Sequence, residues 1–243
     1  MGKVILKRIK VKNIDTDFRK KMYSLFEKYY KNAEYNRFCT YLDEKEFVLT
    51  MWSKIKHTKE LIGFSSIMRK TCYSPEPYVY IYSGDTVLDK TIWGGKYLQK
   101  SFFWFILETK LLALNKPVYW FLISKGHKTY LMMRKNFPNS FPNRSQEIPK
   151  RIKAIMDQYY SHKFQNAYST ETNLITCEQN SEATKMEYWD LKKDFQQDPD
   201  GEFFFKANPD FSKGVELACI AEIRWGEFYH HIKKFFIKGL QLN

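Results

Sequence analysis

No apolar run in this chain of 243 residues approaches the roughly 20 residues that a bilayer-spanning helix requires. The four cysteines, Cys39, Cys72, Cys177 and Cys219, lie far apart, so no pair has the close spacing of zinc ligands. A disulfide framework is equally unexpected, and a reducing compartment fits. Each thiol reads as a small buried hydrophobe rather than a nucleophile. The five histidines include the adjacent pair His230 and His231, which point to different faces of a helix and cannot clasp an ion as an i,i+4 pair does. No metal is expected. Internal repeats and low-complexity tracts are absent as well. At the amino end, Val4, Leu6, Ile9 and Val11 alternate with lysines, a strand pattern without the continuous apolar block of a signal peptide. The expected location is cytoplasmic, with the membrane surface as an alternative.

What the chain does have is core-forming material, 44% hydrophobic and 18% aromatic residues, which excludes global disorder. It also carries a formal net charge of +13. Such a charge suits a polyanion, a phosphorylated ligand or an anionic membrane surface, or simply reflects a lysine-rich composition. The lysines are spread over the whole length with no basic tail. Nucleic acid is therefore a disfavoured partner, because clustering on one face or arm is expected of its binders.

Taken in order, Lys3 to Val11 alternates as a strand. Asp15 or Thr16 caps a helix whose stripe is Phe18, Met22, Leu25, Phe26 and Tyr29. Asn36 to Lys45 reads as a short second helix, and Glu46 to Trp52 and Leu61 to Met68 as the strands of a hairpin. The central stretch, 77–138, follows. Tyr78 to Tyr82 is an aromatic and β-branched strand that stops at the turn Ser83-Gly84-Asp85-Thr86. Val87-Leu88 is a short extended piece leading to Asp89-Lys90-Thr91-Ile92-Trp93-Gly94-Gly95. From Tyr97 to Asn115 apolar residues recur at helical spacing. Val118 to Ile123 is apolar throughout, as a strand covered on both faces is. Ser124 to His127 is a turn, and Lys128 to Phe137 a basic helix stopped by Pro138. Glycines at the mouth of the first of these helices make a ready anion site, where unpaired amides and the helix dipole favour negative charge.

The order β-α-α-β-β, then β-loop-α-β-α, resembles the core of the GNAT-type acyl-CoA N-acyltransferases over Lys3 to Phe137. The resemblance implies an α/β fold with a mixed central sheet flanked by helices, and acyl transfer from acyl-CoA, or from an acyl carrier protein, to an amine. The family's fourth strand ends in an R/Q-x-x-G-x-G/A loop that binds the coenzyme A pyrophosphate, and its fifth strand splays away to admit the pantetheine arm. Here the loop is Thr91-Ile92-Trp93-Gly94-Gly95-Lys96, with contracted spacing and no leading Arg or Gln. Lys90 or Lys96 stands in for the missing charge. The resemblance assigns cofactor binding to Val87, Leu88, Trp93, Gly94, Gly95, Lys96 and Lys125. It implies Asp85 as the base that takes the ammonium proton and Tyr130 as the acid that protonates the thiolate. Several stretches, among them Ser83-Gly84-Asp85-Thr86 and Tyr119 to Tyr130, also look like a group of uncharacterised bacterial proteins within that superfamily.

The turn-rich segment 138–149 is the expected boundary between a core, residues 1–138, and an extension, 139–243, that completes the sheet and covers the cleft. Within it Lys150 to Phe164 is an amphipathic helix, and Asn173 to Cys177 and Gly214 to Ile223 read as strands. Trp225 to Leu240 is a basic aromatic helix that either docks on the domain or lies on anionic lipid, which keeps a long-chain acyl group or lipid acceptor in view. Two alternatives stand beside the enzyme. One is a catalytically silent binding protein of the same fold, the other a basic module for membrane or nucleic acid.

Overall fold

The structure, a computed structural model, describes residues 3–55, 58–73, 76–176, 183–184, 198–226 and 228. In chain order its elements are β1 (Lys3–Lys10), α1 (Thr16–Tyr29), β2 (Tyr30–Lys31), α2 (Tyr35–Asp43), β3 (Phe47–Ile55), β4 (Thr58–Cys72), β5 (Tyr78–Leu88), α3 (Tyr97–Leu112), β6 (Val118–Ser124), α4 (His127–Asn136), β7 (Ser140–Phe141), α5 (Lys150–Phe164), β8 (Leu174–Ile175), β9 (Ala183–Thr184), α6 (Pro199–Ala207) and β10 (Glu216–Glu222). The expected cap of α1 is present: the Phe18 amide donates to Asp15 Oδ1 at 2.7 Å, satisfying a donor that the first turn leaves without a partner.

One mixed sheet runs in the order β1-β3-β4-β5-β6-β10-β7, with β8 also paired to β10. Every neighbouring pair is antiparallel except β5 and β6, which are parallel. A parallel pair cannot be joined by a hairpin, so α3 serves as its crossover. The arrangement matches the mixed α/β core expected from the order of elements.

Alternation along β6 divides the interior. Val118, Trp120 and Leu122 face the helices α3, α4 and α6, in a core with Phe102, Phe105, Tyr130 and Phe204. Tyr119 and Phe121 face the other way, onto Met156 and Tyr160 of α5. On that second face α1 and α2 cover the earlier strands with Phe26, Phe38 and Leu42 against Val48 and Phe64. A strand covered on both faces needs apolar side chains at every position, which is why the periodicity of 118–123 is unbroken. Tyr160 ties the last two long strands together, its one hydroxyl proton shared between the carbonyls of Leu122 and Cys219 at 3.0 and 2.7 Å.

One expectation changes. Ser83 to Thr86 is no turn but part of one continuous strand, β5. The apolar residues Phe203 to Phe205 lie in helix α6, where Phe204 is fully buried. Cys177, the segment 185–197 and all but residues 225, 226 and 228 of the expected helix Trp225 to Leu240 lie outside the described residues. Among the described residues no helix is long and apolar enough to cross a membrane.

Candidate functional site

The site begins with one extra residue. Ser65 of β4 pairs with Thr86 of β5, and Ile67 with Ser83, so the single residue Ser66 stands opposite both Gly84 and Asp85. Such a bulge bends its strand and strengthens the local twist. Pairing between β5 and β6 runs from Val79–Val118 to Ser83–Leu122 and stops there. Beyond that point β5 continues to Leu88 while β6 ends at Ser124, and among the described residues no strand pairs with that edge of β5. The bulge thus opens a wedge between two parallel strands. Trp120 marks its apex, its indole N–H donating to Ser83 Oγ at 3.0 Å.

Gly84 is required at the bulge by close approach. A Cβ there would lie 2.7 Å from Ser66 Oγ and 2.8 Å from Lys45 Cε. Gly84→Ala is expected to cost about 1–3 kcal/mol through overpacking, read from thermal unfolding. Adding Ser66→Ala, which removes the nearer atom, restores part of the loss; equal stability of the single and double variants would refute this account of the glycine.

Charged groups gather beside the wedge. Asp85 is partly buried, and burial pushes its carboxyl above the ordinary value, offset in part by the Lys125 and Lys45 ammoniums acting through space. Lys125 lies 3.2 Å from Glu216 Oε1 and 5.5 Å over the ring of Tyr30. The Tyr30 hydroxyl donates to the Thr86 carbonyl at 3.2 Å, so this tyrosine reaches from β5 to the residue that follows β6. Lys45 is buried and its ammonium is destabilised by that burial, against which Glu44 is the main compensating charge. Burial would raise the Glu44 carboxyl too, but Lys163 and Lys45 together hold it below its usual value.

At the mouth of the wedge, Asp89 accepts from the Thr91 amide and hydroxyl at 3.0 and 2.8 Å, and from the Tyr29 hydroxyl at 3.1 Å. These bonds outweigh burial and keep its carboxyl below the ordinary range. The loop they shape presents Trp93, whose indole donates to the Leu88 carbonyl at 2.9 Å, with Lys128 at 5.0 Å from its ring. Gly94 follows with φ +75, a left-handed conformation that favours glycine, and a Cβ there would meet only open space. Among the described residues no side chain caps the start of α3, whose first-turn amides lack intrahelical partners.

The expected site residues therefore divide. Asp85 lies in β5 beside the wedge with the Lys125 ammonium acting on it through space, while Trp93, Gly94, Gly95 and Lys96 form the loop before α3. Leu88 takes part through its carbonyl. Val87 is 2% exposed and its side chain packs in the α1/α2 core, so only its backbone borders the wedge. Tyr130 is 1% exposed, packs against Phe203 and Phe204, and donates its hydroxyl to the Pro142 carbonyl at 3.0 Å. Its place in the α3/α4/α6 core follows from the helical face it occupies, and the structure does not bring the expected acid to the wedge. Lys128 rather than Lys125 stands at the mouth. Glu44, Lys45, Lys163, Tyr30 and Glu216 are joined only by the tertiary structure. Lys45 reads in sequence as the end of a solvated helix, and nothing local marks the others. A separate groove of about 290 Å³, lined by Leu6, Leu49, Trp104 and Phe105 among others, shares no residue with this site.

No family model matches the chain, and no curated protein matches it by sequence. Similar solved structures include an acetyltransferase of Trypanosoma brucei (11% identity, TM-score 0.39, covering 60% of this chain and 98% of that one). A glucosamine-6-phosphate N-acetyltransferase of Arabidopsis thaliana is similar at 12% identity and TM-score 0.40, covering 61% and 98%. A predicted acetyltransferase of Clostridium acetobutylicum, solved with acetyl-CoA, is similar at 13% identity and TM-score 0.40, covering 60% and 95%. Likeness of this degree identifies no functional residue.

Proposed function

We propose that the chain is a GNAT-like acyltransferase that moves an acyl group from acyl-CoA to an amine, with the wedge between β5 and β6 as its active site. The observation that carries this reading is the bulge at Gly84–Asp85, which frees an edge of β5 and sets a carboxylate beside it. An acyl thioester supplies an activated acyl group; the chain's own residues have to bind it, deprotonate the amine and stabilise the developing oxyanion. The free edge of β5 offers backbone amides to an extended arm and to an oxyanion. The glycine loop, the uncapped start of α3 and Lys128 offer positive charge to phosphates. Asp85 takes the proton from the acceptor's ammonium, a task its burial suits because a raised carboxyl is the better base. An acyl carrier protein is the alternative donor, with Lys125 and Lys128 near the same mouth.

A second reading, a silent binding protein of the same fold, is supported by the side chains that bridge the wedge, Tyr30 beneath Lys125 and Trp93 against Lys128. It predicts donor binding without turnover.

Calorimetric titration with CoA, acetyl-CoA and palmitoyl-CoA below its micellar range tests the proposal. Micromolar binding is expected, weakened at least about tenfold, or 1.4 kcal/mol, in Gly94→Glu and in Lys128→Glu. The two variants share the loss only if the loop and α4 hold the same phosphates; Lys128 is exposed, so its variant is not subject to the strain at Gly94. Binding of no CoA species, or equal binding by all three proteins, would remove the assignment. A preference by chain length separates small acyl groups from lipid-derived ones.

A further inference from the structure

Beside the wedge a single carboxylate is held between two lysines on an aromatic floor. Glu44 Oε2 lies 2.8 Å from Lys163 Nζ and 3.5 Å from Lys45 Nζ. Both ammoniums also stand over the ring of Tyr82, at 5.0 and 5.2 Å. The three partners are unequally anchored. The side chains of Lys45 and Lys163 are 4% and 21% exposed, whereas that of Glu44 is 42% exposed. Lys45 leads into β3 and is further fixed by the Tyr41 carbonyl at 2.9 Å, and Lys163 belongs to the last turn of α5. Two separate elements thus fix the cations, while the glutamate sits just past the end of α2, where its side chain can swing into solvent.

Two hydroxyls nearby add donors without acceptors. Ser66 is 2% exposed and, among the described residues, its Oγ has no hydrogen-bond partner; the Tyr159 hydroxyl is likewise buried and without one among them. Ser66 Oγ and the end of Lys45 converge above Gly84, where a Cβ would lie 2.7 Å from Ser66 Oγ and 3.5 Å from Lys45 Nζ. Tyr159 packs on Tyr82, the floor of the lysine pair, at 5.8 Å between ring centroids. Buried hydroxyls are normally bonded, so two unbonded ones beside two buried-stemmed lysines call for a ligand with several acceptor oxygens. One oxygen of a part-exposed glutamate does not use that capacity.

We infer that Lys45 and Lys163, with the Ser66 and Tyr159 hydroxyls, form a subsite for an anionic group, a carboxylate or a phosphate, and that Glu44 fills it as an internal substitute until the ligand arrives. Lys45 also acts electrostatically on Asp85, so the subsite neighbours the base of the proposed reaction. The ligand is then an amine acceptor that carries its own carboxylate or phosphate. This last step rests on the acyl-transfer reading, whereas the anion subsite does not.

The test is calorimetric titration of the full chain with inorganic phosphate and with L-glutamate, using ethanolamine as an amine without an anion. Glu44→Gln removes the competing charge and is expected to bind phosphate or glutamate about tenfold more tightly than the unaltered protein, since one charge-assisted contact is worth that much. Glu44→Gln/Lys163→Met is expected to lose the gain; Lys163 is the more exposed lysine, so this variant is the one that keeps the fold. Ethanolamine is expected to show no response to either change. Unchanged affinity in Glu44→Gln overturns the inference. So does equal affinity in the single and double variants, which would place the anion elsewhere on the basic surface. Whichever of phosphate and glutamate binds identifies the ligand's anion. If the gain appears but CoA fails to bind the same proteins, the subsite stands and its assignment to an acceptor falls.

Discussion

Asp85→Asn lowers the rate of acyl transfer by about 10²–10⁴-fold, the usual contribution of a positioned general base, with donor affinity unchanged. The amide keeps the shape of the side chain but cannot take a proton from an ammonium. The same variant is expected to be more stable than the unaltered protein near neutral pH, and the sign follows from its titration. Burial raises the Asp85 carboxyl above its unfolded value. The folded state therefore binds the proton more tightly, and stability falls as pH rises from the unfolded value through the raised folded one. Above that window the charged carboxylate is a standing cost, which asparagine does not carry. Activity runs the opposite way, appearing as pH rises through the same folded value. A pH–rate profile and melting curves on both proteins check the pair of effects. A variant that loses activity and stability together would reduce Asp85 to a structural role.

Trp120→Ala is expected to remove about 3–5 kcal/mol of stability, the cost of emptying a large aromatic site in a packed core. That is a large share of the roughly 5–15 kcal/mol that holds a typical domain together. Trp120 is 1% exposed, stacks on Phe102 at 5.1 Å and meets Phe137 edge-on at 5.3 Å. Its indole N–H also bonds Ser83, the last β5 residue paired with β6. Trp120→Phe keeps most of the packing and leaves Ser83 Oγ without its donor, a loss of about 1–3 kcal/mol. Urea unfolding followed by circular dichroism separates the three proteins. If alanine costs no more than phenylalanine, the packing account of this side chain is wrong.

The wedge joins these two expectations. Trp120 pins the strands together up to Ser83, and the extra residue at Gly84–Asp85 parts them immediately afterwards. Stability is concentrated on one side of that point and polar, partly buried chemistry on the other. Asp85, Lys45 and the two hydroxyls without partners among the described residues are each unfavourable to folding.

Much of the architecture was legible in the chain itself, because hydrophobic periodicity reports burial directly. The Lys150–Phe164 helix is found at the bounds its stripe indicates, the Asp15 cap is in place, and the unbroken apolar run 118–123 is a strand covered on both faces. The glycines at the start of α3 and the carboxylate Asp85 could also be picked out as local features. The bulge could not. Ser83-Gly84-Asp85-Thr86 has the composition of a turn, and only pairing with β4, which sets Ser66 against two residues, keeps it in the strand. Tyr130 shows the converse: the family resemblance implies a proton donor there, but the face it occupies sends its hydroxyl to the Pro142 carbonyl. The lysine pair about Glu44 joins residues more than a hundred positions apart, and no local pattern encodes such a meeting. Sequence determined which segments are strands and helices, because that depends on neighbours along the chain. Which charges share a buried space depends on neighbours across it, and that was decided by the tertiary structure alone.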